Sequence, residues 1–526
     1  MSKDGAVGAS MTPLATDPFS SAANQFTARL RAAVSLDDAG RRGDALEALQ
    51  EAETLLPDRP ESAFLLGGLY ERFQYWGKAT VFYRKALQSK PEVPRVWHRL
   101  GIVHLHAGDL PDALQALEEA VSQAPDVPDY ATDLSMVLSR LGRFEEAWGL
   151  VRIALALRPG DLHALNNAGH ILQCLNRSAE AVEFYDAALL QSPSHPVIRF
   201  GRAAALLKAG SFSEGWQEYE WRWQSSRTVR TDIEAPVWEG EDLQGKTILV
   251  HHEQGYGDTL HFIRLASLLV ARGACVVVQV PVPLVRLMER VDGVDRVFSV
   301  VPSEEHFDYH CPMMSLPARL GLESDVVGAV SYLSVPEDEI IRQGNALRCL
   351  AQGNPARPDF IVGLVWGGDP RPHDPRATQT DRRRSIALES LAPLFSVEGL
   401  RFVSFQMGIP RHQIETTGLP LIDGTDDILD FQDTGARLYG VDLLITVDTS
   451  IAHLAGGLGL PVWMLSRADA CWRWGESGTQ TGWYPTMRIF RQHRSGDWDS
   501  VLEDVRVALD RLMAVYRSCQ EKSAPT

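Results

Sequence analysis

The residues suited to chemistry fall in two short stretches and one basic triplet. In the first stretch, Asp448-Thr449-Ser450 stands between an apolar run ending at Val447 and a run from Ile451 to Leu458 that carries His453. The run before Asp448 is short and β-branched, as in a strand buried on both faces, and each of the three polar residues can cap a helix. A strand over Asp442 to Val447, a helix from Ile451, a stop at Gly459 and a strand from Pro461 to Leu465 make a βαβ unit. Where such a strand ends and its helix begins, free N–H groups favour an anion, commonly a phosphate. The helix dipole supplies only about 0.3 to 2 kcal/mol, so the Thr449 and Ser450 hydroxyls and His453 would have to add the rest, unless His453 is simply a core histidine.

The second stretch is the loop Glu253-Gln254-Gly255-Tyr256-Gly257-Asp258, after an expected strand over Lys246 to His251 and before an expected helix over Thr259 to Arg272. Asp258 offers a carboxylate at a strand's end; it also suits a helix cap. The triplet is Arg382-Arg383-Arg384, a local basic exception in a chain of net charge -17. That overall charge opposes affinity for nucleic acid or an anionic membrane, which needs clustered cations facing phosphates.

Two α/β halves are expected to carry these residues. The first adds strands over Cys275 to Val280 and Arg296 to Val300, with a helix over Pro283 to Arg290 between them; the second runs through strands over Phe360 to Trp366 and Arg401 to Gln406 to the βαβ unit. Asp497 to Tyr516 reads as a closing amphipathic helix with Val501, Val505, Leu509 and Leu512 on one face. Asp497-Trp498-Asp499 has the spacing of a metal–diphosphate motif, but at a helix start it reads as a cap, and no metal site is expected. Six scattered cysteines without a C-x-x-C pair suggest neither a disulfide framework nor zinc, and fit a reducing compartment. No apolar run approaches a membrane span and the start lacks signal-peptide order, so a cytoplasmic protein is expected.

Ahead of the α/β part the chain repeats itself. Prolines recur every 34 residues at Pro57, Pro91, Pro125, Pro159 and Pro193; alanines keep that step at Ala45, Ala79, Ala113, Ala147 and Ala181, and again at Ala52, Ala86, Ala120, Ala154 and Ala188. Small residues where two helices cross, a large one between them (Tyr83, Leu117, Val151, Tyr185) and a closing proline form the tetratricopeptide pattern. Stacked repeats make a superhelix whose concave face usually holds a protein partner. The aromatic run Trp216, Tyr219, Trp221, Trp223 reads as core sealing the last repeat, and the segment with Trp472, Trp474, Trp483 and Tyr484 either stacks on a ligand or packs under a loop.

The pairing of G-x-G-D-T-L-H with V-D-T-x-x-A-H-L-A-G-x-L-G-x-P-V-W resembles the heptosyltransferase-type glycosyltransferases of the GT-B fold, over about residues 240 to 515. The order, repeats first and transferase second, is similar to bacterial tetratricopeptide glycosyltransferases, including enzymes that glycosylate flagellin. The resemblance implies an N-terminal all-α superhelix followed by two Rossmann-like halves facing a cleft. Composition and periodicity give a mobile tail over 1–25, repeats over 26–225, a connector over 226–245 and a linker over 341–358; the resemblance makes 246–340 the acceptor-side half and 359–526 the nucleotide-sugar half. Asp258 is implied as general base and Arg384 as the cation on the leaving diphosphate. Gly257, Gln406, Asp448, Thr449, Ser450 and His453 are implied as donor contacts. The implied reaction is an inverting, metal-independent sugar transfer, without a cofactor, from a nucleotide sugar to an acceptor protein on the repeats, with flagellin among the candidates. A lipopolysaccharide-type acceptor, or an inactive scaffold, are the alternatives.

Overall fold

A computed structural model describes residues 18–225, 233–325, 331–351, 359–371 and 374–523. The chain divides into two compact units, residues up to 141 with 149–159, and residues 142–148 with 160–526. The division falls inside the repeats, so the last helical hairpins belong with the α/β part.

The period of 34 is realised as helix pairs: Pro60–Arg72 with Trp76–Ser89, Pro94–Ala107 with Leu110–Gln123, Leu162–Cys174 with Ser178–Gln191, Pro196–Lys208 with Phe212–Tyr219. The alanines of both registers are buried, as close helix crossings require. A further register appears in the backbone. Residues 40, 74, 108, 142, 176 and 210 all have positive φ, as Gly40, Gln74, Gly108, Gly142, Asn176 and Gly210. This is the left-handed turn that ends the first helix of each pair, and glycine adopts it without a Cβ penalty. Pro18–Asp38 is a helix with Phe26 and Ala33 buried, so residues 18–25 are not the mobile tail expected there; positions 1–17 lie outside the described residues.

The second unit holds two all-parallel sheets. Strands β1 (Thr247–His251), β2 (Cys275–Gln279), β3 (Arg296–Phe298) and β4 (Tyr309–Pro312) are ordered β3-β2-β1-β4. Strands β5 (Phe360–Val365), β6 (Leu400–Ser404), β7 (Leu421–Asp423), β8 (Leu443–Val447), β9 (Val462–Ser466) and β10 (Met487–Arg491) are ordered β10-β9-β8-β5-β6-β7. These are helical repeats followed by two Rossmann-like halves. Strands β5 and β8 are buried along their whole length, which matches their unbroken apolar sequence.

Three strands escape the sequence reading: β4, β7 and β10. The expected helix over Thr259 to Arg272 instead starts at Tyr256 and breaks into Tyr256–Phe262, a 3₁₀ turn and Ala266–Val270. The expected linker over 341–358 is largely structured, with helix Asn345–Ala351 burying Leu347 and Ala351; residues 352–358 lie outside the described ones, as do 226–232 of the connector. The arginine triplet ends helix Pro375–Arg384. The closing helix is Trp498–Ser523, and Asp497 Oδ1 accepts its Ser500 N–H at 3.1 Å, as a cap does.

Candidate active site

Each sheet reverses direction once. In the first, the chain runs β1-β2-β3 to one side and returns to place β4 beside β1; in the second, it runs β5-β6-β7 and returns to place β8 beside β5. The carboxyl ends at such a reversal leave a crevice, the usual ligand position in an open α/β sheet. At the second reversal the crevice is bounded by Trp366-Gly367-Gly368 after β5 and Asp448-Thr449-Ser450 after β8.

Arg384 enters this crevice from the end of its helix. Its Nε donates to Asp381 Oδ1 at 2.9 Å and its Nη1 to the Asp448 carbonyl at 3.3 Å. It also lies so close to Gly368 that a Cβ there would stand 2.3 Å from Nη2. Thr449 is the N-cap of helix Ser450–Gly457 in extended conformation, and its side chain makes no cap bond; Thr449 Oγ1 instead contacts the Val447 carbonyl and Thr446 Oγ1, both at 3.4 Å. The helix start therefore has no side-chain cap, although the Ala452 N–H donates to the Thr449 carbonyl at 3.1 Å. Of the other two arginines, Arg383 pairs with Asp469 at 3.2 Å and Arg382 is exposed.

Gln406 has a different task from the expected donor contact. Its Oε1 accepts the Trp366 and Gly367 N–H groups at 3.0 and 2.8 Å, and its Nε2 donates to the Gly367 and Met407 carbonyls at 3.0 and 2.9 Å. Both donors and both lone pairs of the buried amide are committed, so it is a strut under the glycine turn.

Asp258 is the third residue of helix Tyr256–Phe262, and its Oδ2 folds back to accept the Gly255 N–H at 3.0 Å. Its Oδ1 takes Arg473, a residue 215 positions away in the loop after β9. Burial opposes the charge on Arg473, but Asp258 prevails and holds the guanidinium above its ordinary pKa. Arg473 also lies over Trp472, 4.2 Å from the ring centroid. The side chain of Asp258 is nevertheless 23% exposed, so its remaining lone pairs are open to an incoming hydroxyl.

His453 and Gly257 belong to the contact between the two halves. A Cβ on Gly257 would stand 2.9 Å from His453 Cδ2, so the glycine is needed for the approach of helix Tyr256–Phe262 to helix Ser450–Gly457. His453 Nδ1 and His261 Nδ1 both bond the Tyr484 hydroxyl, at 2.8 and 2.9 Å. Burial first, then the nearby Arg473 and Arg264, hold both imidazoles well below the usual histidine pKa, hence neutral. Arg264 completes the knot, donating to the His261 and Trp483 carbonyls at 2.8 Å and to Tyr332 Oη at 3.0 Å. Trp472, Trp474, Trp483 and Tyr484 are buried, so this aromatic segment packs under the loop. Trp216 and Tyr219 are buried too, and Trp216 packs edge-on against Trp472 at 5.0 Å, the sealing role expected of it.

Sequence reasoning misses Arg371, Arg467, Asp469 and Arg473. Arg467 is partly buried, with Nη1 on Asp469 Oδ2 at 3.1 Å; its Nε and the second Asp469 oxygen have no hydrogen-bond partner among the described residues. Arg371, after β5, has a positive φ of 43° and sends Nη2 to 3.9 Å from where a Cβ on Gly255 would stand. A non-glycine residue held there is a mark of functional loops. Among the described residues, one group brings metal-ligating types close together: His104, Asp109 and Asp112, in the first unit, where Arg84 already pairs with Asp112.

Models described as tetratricopeptide repeat match residues 76–135, and 30–94 with 132–196. The chain carries tetratricopeptide repeats. It is 25% identical over 537 residues to protein FlbA of Caulobacter vibrioides, covering 83% of this chain and 88% of FlbA. Solved structures similar to it include TTC0263, a TPR protein of Thermus thermophilus (23% identity, TM-score 0.29, 35% of this chain and 99% of that one). Another is YrrB, described as a TPR protein with an unusual peptide-binding site (22%, TM-score 0.29, 34% and 94%), and a third is PilF of Pseudomonas aeruginosa (20%, TM-score 0.31, 40% and 85%). In the first unit the repeats form a cavity of about 940 Å³ whose lining includes Phe64, Leu65, Tyr83, Tyr130, Arg31 and Arg95.

Proposed function

We propose that the chain is a cytoplasmic GT-B glycosyltransferase that moves a sugar from a nucleotide-sugar donor to a hydroxyl of a protein held by its repeats, with Ser or Thr of flagellin the first candidate. The observation that carries this reading is the convergence, at the β5/β8 reversal, of Arg384 with a helix start that lacks a side-chain cap. A fixed cation and fixed N–H dipoles are what a departing diphosphate requires. The repeat cavity, with an aromatic lining and the guanidiniums of Arg31, Arg95 and Arg99, supports a polypeptide acceptor over a saccharide.

In the reaction the acceptor oxygen attacks the anomeric carbon as the bond from that carbon to the phosphate oxygen breaks, inverting the centre. Asp258 takes the acceptor proton, and the electron pair of the broken bond leaves with the diphosphate, whose growing charge falls to Arg384 and the Ser450–Gly457 helix start. Arg473 holds the Asp258 carboxylate in place through its Oδ1. Arg371 reaches the Asp258 loop from the donor half and is placed to meet donor or acceptor there.

Intact-mass spectrometry of flagellin and other surface proteins tests the reading, in cells with the wild-type gene, an Asp258→Ala copy, or none. A sugar-sized mass present only with wild type supports it; identical masses in all three strains sink the protein-acceptor reading.

A further inference from the structure

The turn that joins helices Leu162–Cys174 and Ser178–Gln191 differs from its equivalents in a way that points at the site. At the left-handed position repeated every 34 residues, four of the six residues are glycine, and Asn176 is one of two exceptions. Its side chain leaves the repeat altogether: Nδ2 donates to the Ala468 carbonyl at 3.0 Å. Two residues on, the Ser178 N–H at the start of the next helix donates to Glu476 Oε1 at 2.6 Å. Residues 468 and 476 bracket the segment that carries Asp469 and Arg473, and Arg467 directly precedes it. Lys208, from the following repeat, donates to the Gln173 carbonyl at 2.9 Å and is buried in the field of Asp469 and Glu476.

We infer that this repeat turn is a positioning element of the transferase site: Asn176 and Ser178 clamp the two ends of the loop that presents Arg467, Asp469 and Arg473. The last repeats are then part of the catalytic unit, and not only a recruiting module. The inference rests on the proposed reading for its meaning, but the clamp itself can be tested without any substrate.

Glycine is what four equivalent turns already use, so Asn176→Gly removes the bond to Ala468 while keeping the turn's backbone. Hydrogen–deuterium exchange on the full chain is the readout. Loss of one hydrogen bond corresponds to roughly five- to tenfold faster local opening. We expect that acceleration in the amides of 468–476, with the two flanking repeat helices unchanged. Gln74→Gly, the same change at the other non-glycine turn, is the control and leaves the loop at the wild-type rate. Glu476→Ala is expected to reproduce the effect and Glu476→Gln, which keeps the acceptor for Ser178, to restore wild-type exchange.

Wild-type exchange in the loop of Asn176→Gly overturns the clamp, and so does acceleration spread evenly through both helices, which would make Asn176 a fold residue only. If the loop loosens as expected while the wild-type chain modifies no acceptor, the clamp stands and the transferase reading falls. Where the wild type is active, Asn176→Gly lowers turnover and leaves acceptor capture in a pull-down unchanged.

Discussion

The two sheet reversals of the second unit have the same topology and opposite contents. At β1/β4 the crevice is filled. His251 Nε2 meets His310 Nδ1 at 3.2 Å, and Glu253 takes Arg222 through bonds of 2.9 and 3.0 Å and the Met314 N–H at 2.9 Å. Arg222, 1% exposed, comes from the short helix after the last repeat. At β5/β8 the helix start is uncapped and Arg384 is partly exposed. One reversal joins repeats to sheet, and the other keeps a partly exposed cation beside a helix start without a side-chain cap. Topology alone therefore nominates two sites, and the pairing of their polar groups chooses between them.

The comparison breaks first at Asp258. Asp258→Ala leaves Arg473 buried without its counter-ion, a loss on the order of 3 to 5 kcal/mol by denaturant unfolding. Transfer falls as well, by about 10²- to 10⁴-fold for a lost general base. Asp258→Ala with Arg473→Met is expected to recover the stability and not the transfer. Recovery of both would remove Asp258 from the chemistry and leave it a structural partner.

Arg384→Ala is next, with transfer expected to drop about 10²- to 10³-fold; because the buried Asp381 also loses its cation, the drop is read in an Asp381→Asn background, where that charge is removed. Arg382→Ala, exposed on the same helix, serves as the control. Equal losses from both would mean that the triplet acts as diffuse charge, and the β5/β8 crevice would lose its claim.

The filled reversal makes its own prediction, in pH. Burial, then the neighbouring His310, pushes His251 down from 6.5 to about 4. A histidine depressed in the folded state binds its proton first in the unfolded chain. Stability is therefore intact above pH 6.5 and drains away as the pH falls toward 4, by about 3 kcal/mol at the lower end. Urea midpoints between pH 7 and 4 read the slope, and His251→Gln is expected to flatten it. An unchanged slope would place the acid sensitivity at His261 and His453 instead.

How much of this can be read from residues alone follows from distance along the chain. The repeats are legible because proline and alanine mark every 34th residue, and the left-handed turn is a further register that glycine and Asn176 reveal only when aligned. β5 and β8 are legible because strands buried on both faces write themselves as apolar runs. β4, β7 and β10 are not: they span 4, 3 and 5 residues, and Tyr309–Pro312 ends in a proline that reads as a break. The Asp258 and Arg384 positions come from motifs, but their partners do not. Arg473 lies 215 residues from Asp258, and nothing local to W-R-W marks it as anything but a loop arginine. Gln406 misleads for a related reason, since a polar residue at a strand's end looks the same whether it faces a ligand or a neighbouring turn.

The smallest effect tests the contact between the halves. Gly257→Ala places a methyl 2.9 Å from His453 Cδ2 and 3.6 Å from Ser450 Cα. The imidazole has no easy retreat, held by Tyr484 Oη at 2.8 Å and stacked on Trp474 at a centroid distance of 5.3 Å. Overpacking of this kind costs about 1 to 3 kcal/mol, while alanine returns about 0.5 to 1 kcal/mol of helix preference. A net loss of about 1 kcal/mol is expected, a few degrees in Tm for a unit of this size. If the clash is with the ring, the loss vanishes in a His453→Ala background, giving a coupling energy close to the whole effect in a double-mutant cycle. Additive losses would mean that the halves do not meet through Gly257. The tight approach that separates the joined reversal from the open one would then have another origin.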